Sequence, residues 1–310
     1  MLKYDLKNLG IIPAIGNTPI VELQNINPYK NVRILAKLEG SNPGGSVKDR
    51  PVYYMLKKAI EIGELTRDKI ILESTSGNTG IGLAMVGAAL GFNVTLCMPE
   101  CVSLERQAIL QAFGANLVLT DGCKNIDGAI LKGREMIERN PDKYYMPDQY
   151  SNPANVLSHY ETTAPEIIEQ TNGEITAFVA GLGTSGTIMG VSKRLKEFNP
   201  KIQVIAVEPP LGHTIQGLKN MNEAIVPKIY NPSLLDEIIT INDETAFSIT
   251  RNLATEEGLL CGMSSGAAVA GALAIAEKLT DGTIVTILPD RGDRYLSTTL
   301  FKSICAQCPP

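Results

Sequence analysis

The chain has 310 residues, of which 44% are hydrophobic and 20% charged, and it carries a net charge of −5. Such a chain is long enough for two domains of ordinary globular composition, and its acidic balance argues against nucleic acid or an anionic membrane surface as its main partner. Six scattered cysteines and only two histidines, His159 and His213, argue against a disulfide framework, a histidine-built metal site and a histidine-based triad.

Residues 1–13 lack the charged-then-apolar pattern of a signal peptide, and the longest nearly apolar run, 83–92, is too short to span a bilayer. A cytoplasmic location is expected. The first predicted strand covers 33–37 and is followed by Asn42-Pro43-Gly44-Gly45-Ser46-Val47-Lys48-Asp49-Arg50. Glycine and proline hold this segment out of regular structure until apolar periodicity begins at Val52, Met55, Leu56, Ala59 and Ile60. Lys48 therefore stands where a loop becomes a helix N-terminus. The positive end of the helix dipole disfavours a second positive charge there, so a shielded Lys48 should lose its proton below the model value of ~10.4. A neutral lysine amine attacks aldehydes, which permits Schiff-base chemistry.

Further along, predicted strands at 69–72, 93–98 and 116–119 alternate with helices at 79–90, 104–113 and 129–139. A polar, proline-containing joint follows at 150–153. Strands at 176–180, 203–207 and 283–288 then alternate with helices at 187–198, 244–257 and 267–278. Alternation at this spacing predicts βαβ units and an α/β fold with mostly parallel sheets. The strands are continuous apolar runs, such as Val204-Ile205-Ala206-Val207, as expected when helices cover both faces of a sheet.

Three strand-to-helix turns are rich in glycine and hydroxyls. The first, Ser74-Thr75-Ser76-Gly77-Asn78-Thr79-Gly80, clusters N–H and O–H donors suited to a carboxylate or phosphate. The second, Gly181-Leu182-Gly183-Thr184-Ser185-Gly186-Thr187, contains the G-x-G-x-x-G dinucleotide spacing, with Glu208 ending the next strand where an NAD-binding acid would sit. Its three hydroxyls suit a phosphate monoester equally well, and both readings stand on this loop alone. The third, Gly262-Met263-Ser264-Ser265-Gly266, either caps a small-residue helix or sets a hydroxyl at a cofactor edge. Taken as a set, a Schiff-base lysine and a phosphate cup are what pyridoxal 5′-phosphate requires. An NAD-dependent oxidoreductase would leave the Lys48 segment and the Asn78 turn without a role.

From Ile15-Gly16-Asn17-Thr18-Pro19 to Pro289-Asp290-Arg291-Gly292-Asp293-Arg294-Tyr295-Leu296-Ser297-Thr298, the chain resembles the cysteine synthase and cystathionine β-synthase family of fold-type II pyridoxal-phosphate enzymes. The resemblance covers nearly the whole chain in order. It implies two three-layer αβα lobes with mostly parallel sheets, like the tryptophan synthase β subunit. A smaller mobile lobe would span 41–156, and a larger one 1–40 together with 157–310. Carried over position by position, Lys48 forms the Schiff base and acts as general base, and Asn78 bonds the cofactor's 3′ oxygen. Gly183, Thr184, Ser185, Gly186 and Thr187 cradle the phosphate, and Ser264 faces the pyridine nitrogen. Thr75, Ser76, Thr79 and Gln149 hold the substrate carboxylate. The implied reaction makes L-cysteine from an O-activated serine and sulfide by β-replacement through an aminoacrylate, with O-acetylserine or O-phosphoserine as donor. Serine-using cystathionine formation, cysteine desulfhydration and lanthionine formation are the alternatives.

The stretch between Pro209 and Pro227 is short and resembles the B-type branch, in which Lys219 falls near an arginine that contacts phosphoserine. Ala164, where many relatives carry glycine, leans toward the cystathionine β-synthase side. The resemblance also implies a homodimer and docking of a serine acetyltransferase C-terminal tail. The terminal pair Cys305 and Cys308 has redox or metal spacing but lacks the strand-to-helix setting of a redox motif, and no metal is expected.

Overall fold

The computed structural model describes residues 10–75, 77–102, 104–222 and 226–301. In chain order the elements are β1 (Ile20–Glu22), β2 (Val32–Leu38), α1 (Asp49–Glu61), β3 (Ile70–Ser74), α2 (Asn78–Leu90), β4 (Val94–Pro99), α3 (Leu104–Ala112), β5 (Asn116–Thr120), α4 (Asn125–Arg139) and β6 (Tyr144–Tyr145). After them come α5 (Pro153–Ser158), a π-helical turn (His159–Thr163), α6 (Ala164–Gln170), β7 (Ala177–Gly181), α7 (Gly186–Phe198) and β8 (Gln203–Glu208). The chain continues through β9 (Glu237–Thr240), α8 (Asp243–Glu256), α9 (Met263–Ala276) and β10 (Gly282–Leu288). Two compact units result, one containing residues 10–15 and 42–155, the other 16–41 and 156–301.

The first unit holds a four-stranded sheet in the order β5-β4-β3-β6, parallel throughout. Alternate residues of each strand face opposite sides. Ile71, Leu96 and Met98 join Val52, Leu56, Ile81 and Val86 of α1 and α2 in one core, while Leu72 and Cys97 turn to Ala129 of α4 on the other. Helix α2 has no polar face and is buried on nearly every side. It ends at Gly91, whose φ of +73° supplies the left-handed C-cap that favours glycine. Residues 10–15 fall in this unit, and Ile12 buries itself in the α1 and α2 core.

The second unit holds a six-stranded sheet, β1-β2-β10-β7-β8-β9, parallel except for the edge strand β1. One face buries Ile34, Val179, Val207 and Ile284 against α8 and α9; the other buries Leu35, Phe178, Val204 and Val285 against α6 and α7. This is the helix-sheet-helix layering that continuous apolar strands require. Strands β1, β6 and β9 fall outside the predicted set. Each is two to four residues long and lies at a sheet edge, where a short strand leaves little hydrophobic signal. Among the described residues no helix is long and apolar enough to cross a membrane.

Candidate active site

In both sheets the connections reverse direction beside a central strand, and such a reversal leaves a crevice outside the carboxyl ends of the strands. In the first unit the reversal is at β3, which has β4 on one side and β6 on the other. The turn after β3 carries Thr75, Gly77 and Asn78, and the turn after β6 carries Gln149. The parallel pairing of β3 with β6 brings the two turns together. Thr79 Oγ1 donates to Gln149 Oε1 at 2.6 Å, and both residues are buried. Thr75 is buried as well, with its N–H donating to Cys97 O at 3.1 Å and its Oγ1 accepting from Gly77 N–H at 3.3 Å. The Gln149 carbonyl accepts from Asn155 Nδ2 at 2.8 Å, and Asp148 before it adopts a left-handed φ of +49°. Ser76, expected in the same carboxylate loop, lies outside the described residues.

Lys48 immediately precedes α1 and is half-buried. Its backbone is held on both sides: its N–H donates to Ser46 Oγ at 3.2 Å and its carbonyl accepts from Val52 N–H at 3.1 Å. The turn before it is closed by Asp49, which folds back to accept from Gly44 N–H at 2.5 Å. A Cβ on Gly82 would stand 3.5 Å from the Lys48 carbonyl, so α2 packs on this turn. Asn78 sits one helical turn before Gly82 and thus on the same face of α2.

In the second unit the reversal is between β7 and β10. Gly183, Thr184 and Ser185 lie in the turn from β7 into α7; Gly186 and Thr187 open the helix. Ser185 is the N-cap residue with φ +68°, its Oγ sealed from solvent and without a hydrogen-bond partner among the described residues. Thr184 and Ser185 are buried. A Cβ on Gly183 would collide with the Gly217 carbonyl oxygen, and Lys219 N–H donates to Leu182 O at 2.7 Å. The 209–222 segment is thereby laid against this turn, with Lys219 half-buried beside it. Ser264, in the first turn of α9, is buried, and a Cβ on Gly217 would stand 3.9 Å from its Oγ. The Gly183 turn, the Gly217 segment and Ser264 therefore converge.

Two further residues carry no sequence expectation. His159 is buried and bridges Thr163 Oγ1 at 2.8 Å and Thr187 Oγ1 at 3.3 Å, so the π-helical turn orients a hydroxyl of the α7 turn. Glu73, the penultimate residue of β3, has its carboxyl buried, and desolvation chiefly raises its pKa to about 7. The available signal was a carboxylate interrupting Ile70-Ile71-Leu72. Burial also pushes the Cys261 thiol up to about 12.

Glu208 does not stand as a nucleotide-ribose acceptor. Its Oε2 accepts from Met221 N–H at 3.3 Å and so holds the 209–222 segment instead. The described cysteines, Cys97, Cys101, Cys123 and Cys261, are unbridged, and no group of three metal-ligating side chains occurs among the described residues. Cys305 and Cys308 lie outside them.

A family profile described as "Pyridoxal-phosphate dependent enzyme" matches residues 11–290. The chain is 48% identical to a cysteine synthase of Aquifex aeolicus, covering 94% of this chain and 92% of the relative. It is 44% identical to the cysteine synthase B of Escherichia coli, covering 93% and 94%. It also resembles the crystal structure of a cysteine synthase from Entamoeba histolytica, with a TM-score of 0.90, 43% identity and coverage of 97% and 94%.

Proposed function

Since the chain belongs to the pyridoxal-phosphate-dependent enzyme family, we propose that it makes L-cysteine by replacing the β-substituent of an O-activated serine with sulfide. O-acetylserine is the primary donor in this reading. The observation that carries it is the turn into α7. A sealed hydroxyl without a partner among the described residues (Ser185 Oγ), a left-handed backbone and the N–H groups of a helix start form a cradle for a phosphate monoester. The close approach of Gly183 to the Gly217 backbone fixes the cradle's wall.

Pyridoxal phosphate, when bound, supplies an aldehyde that condenses with amines and a conjugated ring that accepts electron density from the substrate α-carbon. Gly183, Thr184, Ser185, Gly186 and Thr187 hold its phosphate, with Thr187 oriented by His159. Ser264 would offer the ring nitrogen a neutral hydroxyl, a partner suited to loss of a β-substituent. Asn78 would hold the ring's 3′ oxygen. Lys48 would supply the amine that holds the group, and the same amine would move the proton at the substrate α-carbon. It stands at the N-terminus of α1 with its backbone held by Ser46 and Val52. Thr75, Ser76, Thr79 and Gln149 would bind the substrate carboxylate, and because the Thr79 hydroxyl occupies Gln149 Oε1, the Gln149 NH₂ group is the donor that amide offers. Lys219, tied by its backbone to the Gly183 turn, is the residue for the phosphate of an O-phosphoserine donor.

The test is to mix holoprotein separately with O-acetylserine, O-phosphoserine, serine and cysteine, following the cofactor's colour and then sulfide-dependent cysteine release. O-acetylserine should change the colour and yield cysteine. A response to serine or cysteine alone overturns the donor assignment in favour of cystathionine-forming or sulfide-releasing chemistry. A homodimer, a cytoplasmic location and docking of a serine acetyltransferase tail belong to the same reading. Sedimentation and co-purification from a cytosolic fraction test them.

A further inference from the structure

Glu73 stands directly behind the carboxylate-binding turns and has no part in the chemistry so far described. Its Oε1 accepts from Ser74 N–H at 3.0 Å, while Oε2 is sealed from solvent and has no hydrogen-bond partner among the described residues. The N–H groups of Asp148 and Gln149 lie close enough to favour its charge. Glu73 thus bonds the backbone that leads into Thr75 and lies near the one that leads into Gln149.

Burial disfavours its charge. Asp148 repels it from the loop after β6. Tyr145 of β6 lies on the Glu73 face of the sheet and Cys97 of β4 on the other; burial raises their pKa values to about 12 and about 11, so both stay neutral through the physiological range. Lys132, on α4, acts on Cys97. A carboxylate of a bound amino acid at Thr75, Thr79 and Gln149 would add one more negative charge in the same cluster.

We propose that Glu73 is a positioning residue that couples substrate binding to a proton: it holds the Ser74 backbone that leads into Thr75 and takes up a proton when an anion occupies the Thr75, Thr79 and Gln149 turns. In the neutral form its O–H relieves the repulsion, and in the charged form it opposes the incoming carboxylate. Raising the pH therefore weakens anion binding. The inference rests on the assignment of these turns to the substrate carboxylate. It does not depend on which donor is used or on cysteine being the product.

The test uses acetate, a carboxylate with no amine to titrate, added to holoprotein and followed by the cofactor's absorbance between pH 6 and 8.5. In the wild type the acetate Kd should weaken about tenfold over this range, the factor given by a pKa displacement of about one unit. Glu73→Gln keeps an acceptor for Ser74 N–H but cannot titrate, so its Kd should vary less than about twofold and match the wild type at low pH. Thr79→Val should weaken acetate binding at every pH, which locates the probe. Calorimetry of the unmutated protein in two buffers of different ionisation heat, near pH 7.5, should show net proton uptake on acetate binding. A wild-type slope that persists in Glu73→Gln, absence of proton uptake, or acetate binding indifferent to Thr79→Val each overturns the proposal. A Glu73-dependent slope in a protein that makes no cysteine from any donor supports it while removing the proposed reaction.

Discussion

Gly183→Ala is the sharpest probe of the cofactor cradle, because its consequence follows from one contact. A methyl at residue 183 falls within 3.0 Å of the Gly217 carbonyl oxygen, whereas ordinary contact begins at 3.4 Å. The obstacle is backbone, so no rotamer change relieves it. Either the Gly183 turn moves away from the phosphate position or the 217–219 segment moves back and stretches the 2.7 Å hydrogen bond from Lys219 to Leu182. Overpacking of this kind costs about 1–3 kcal/mol and a weakened hydrogen bond about 1 kcal/mol. If about 2 kcal/mol of that falls on the holo form, the pyridoxal phosphate Kd rises about thirtyfold. The assay is titration of the apoprotein with cofactor, followed by absorbance, alongside urea unfolding of the same sample. Gly212→Ala is the control: it lies on the same segment at φ +77° with open space around its Cβ, so it introduces backbone strain without the collision. It should lose about 1 kcal/mol of stability and leave cofactor affinity unchanged. A Gly183→Ala protein that binds cofactor within threefold of wild type would refute the reasoning that this turn holds the phosphate.

Other perturbations separate stability from function. Ser185→Ala should weaken cofactor binding about tenfold, while the apoprotein is as stable as wild type or more so, because a buried hydroxyl without a partner is removed. Loss of apoprotein stability would contradict this. Lys48→Ala should abolish both the holoprotein's colour and its turnover, and a coloured variant would move the amine chemistry elsewhere. Lys37 is fully buried, with Glu166 Oε2 at 2.9 Å, Gln170 Oε1 at 2.8 Å and Thr18 O at 2.9 Å, so Lys37→Met should lose about 3 kcal/mol in urea unfolding. Adding Glu166→Gln to it should recover part of that loss. Glu73 also makes stability depend on pH. Its folded pKa of about 7 lies above its model value of 4.5, so the native state binds more protons between these limits, and Glu73 stabilises most below the lower one. Relative to Glu73→Gln, the wild type should lose about 3 kcal/mol between pH 4.5 and 8, and a constant difference between the two would exclude the shift.

Much of the fold was legible before any coordinates because the signals are local. Continuous apolar runs such as Val204–Val207 demand helices on both faces, and Lys48 is placed at a helix start by the glycines before it and the apolar period after it. The three hydroxyl-rich turns are likewise written in contiguous residues, as is their likeness to one enzyme family. Short edge strands such as β6 and β9 escaped, since two to four residues carry no period.

Other features are long-range and depended on tertiary structure. Glu208 matches a nucleotide-binding acid by spacing, yet folding commits its carboxylate to Met221 N–H. Ile12 draws residues 10–15 into the first unit through contacts with residues far along the chain. Thr79 and Gln149 meet only because β3 pairs with β6, and the collision awaiting a methyl at Gly183 exists only because a later segment returns to it. A chain specifies its own dihedral preferences and apolar periods residue by residue. Whether a buried carboxylate such as Glu73 finds a counter-charge, or a hydroxyl such as Ser185 a partner, is decided by groups that folding alone brings near.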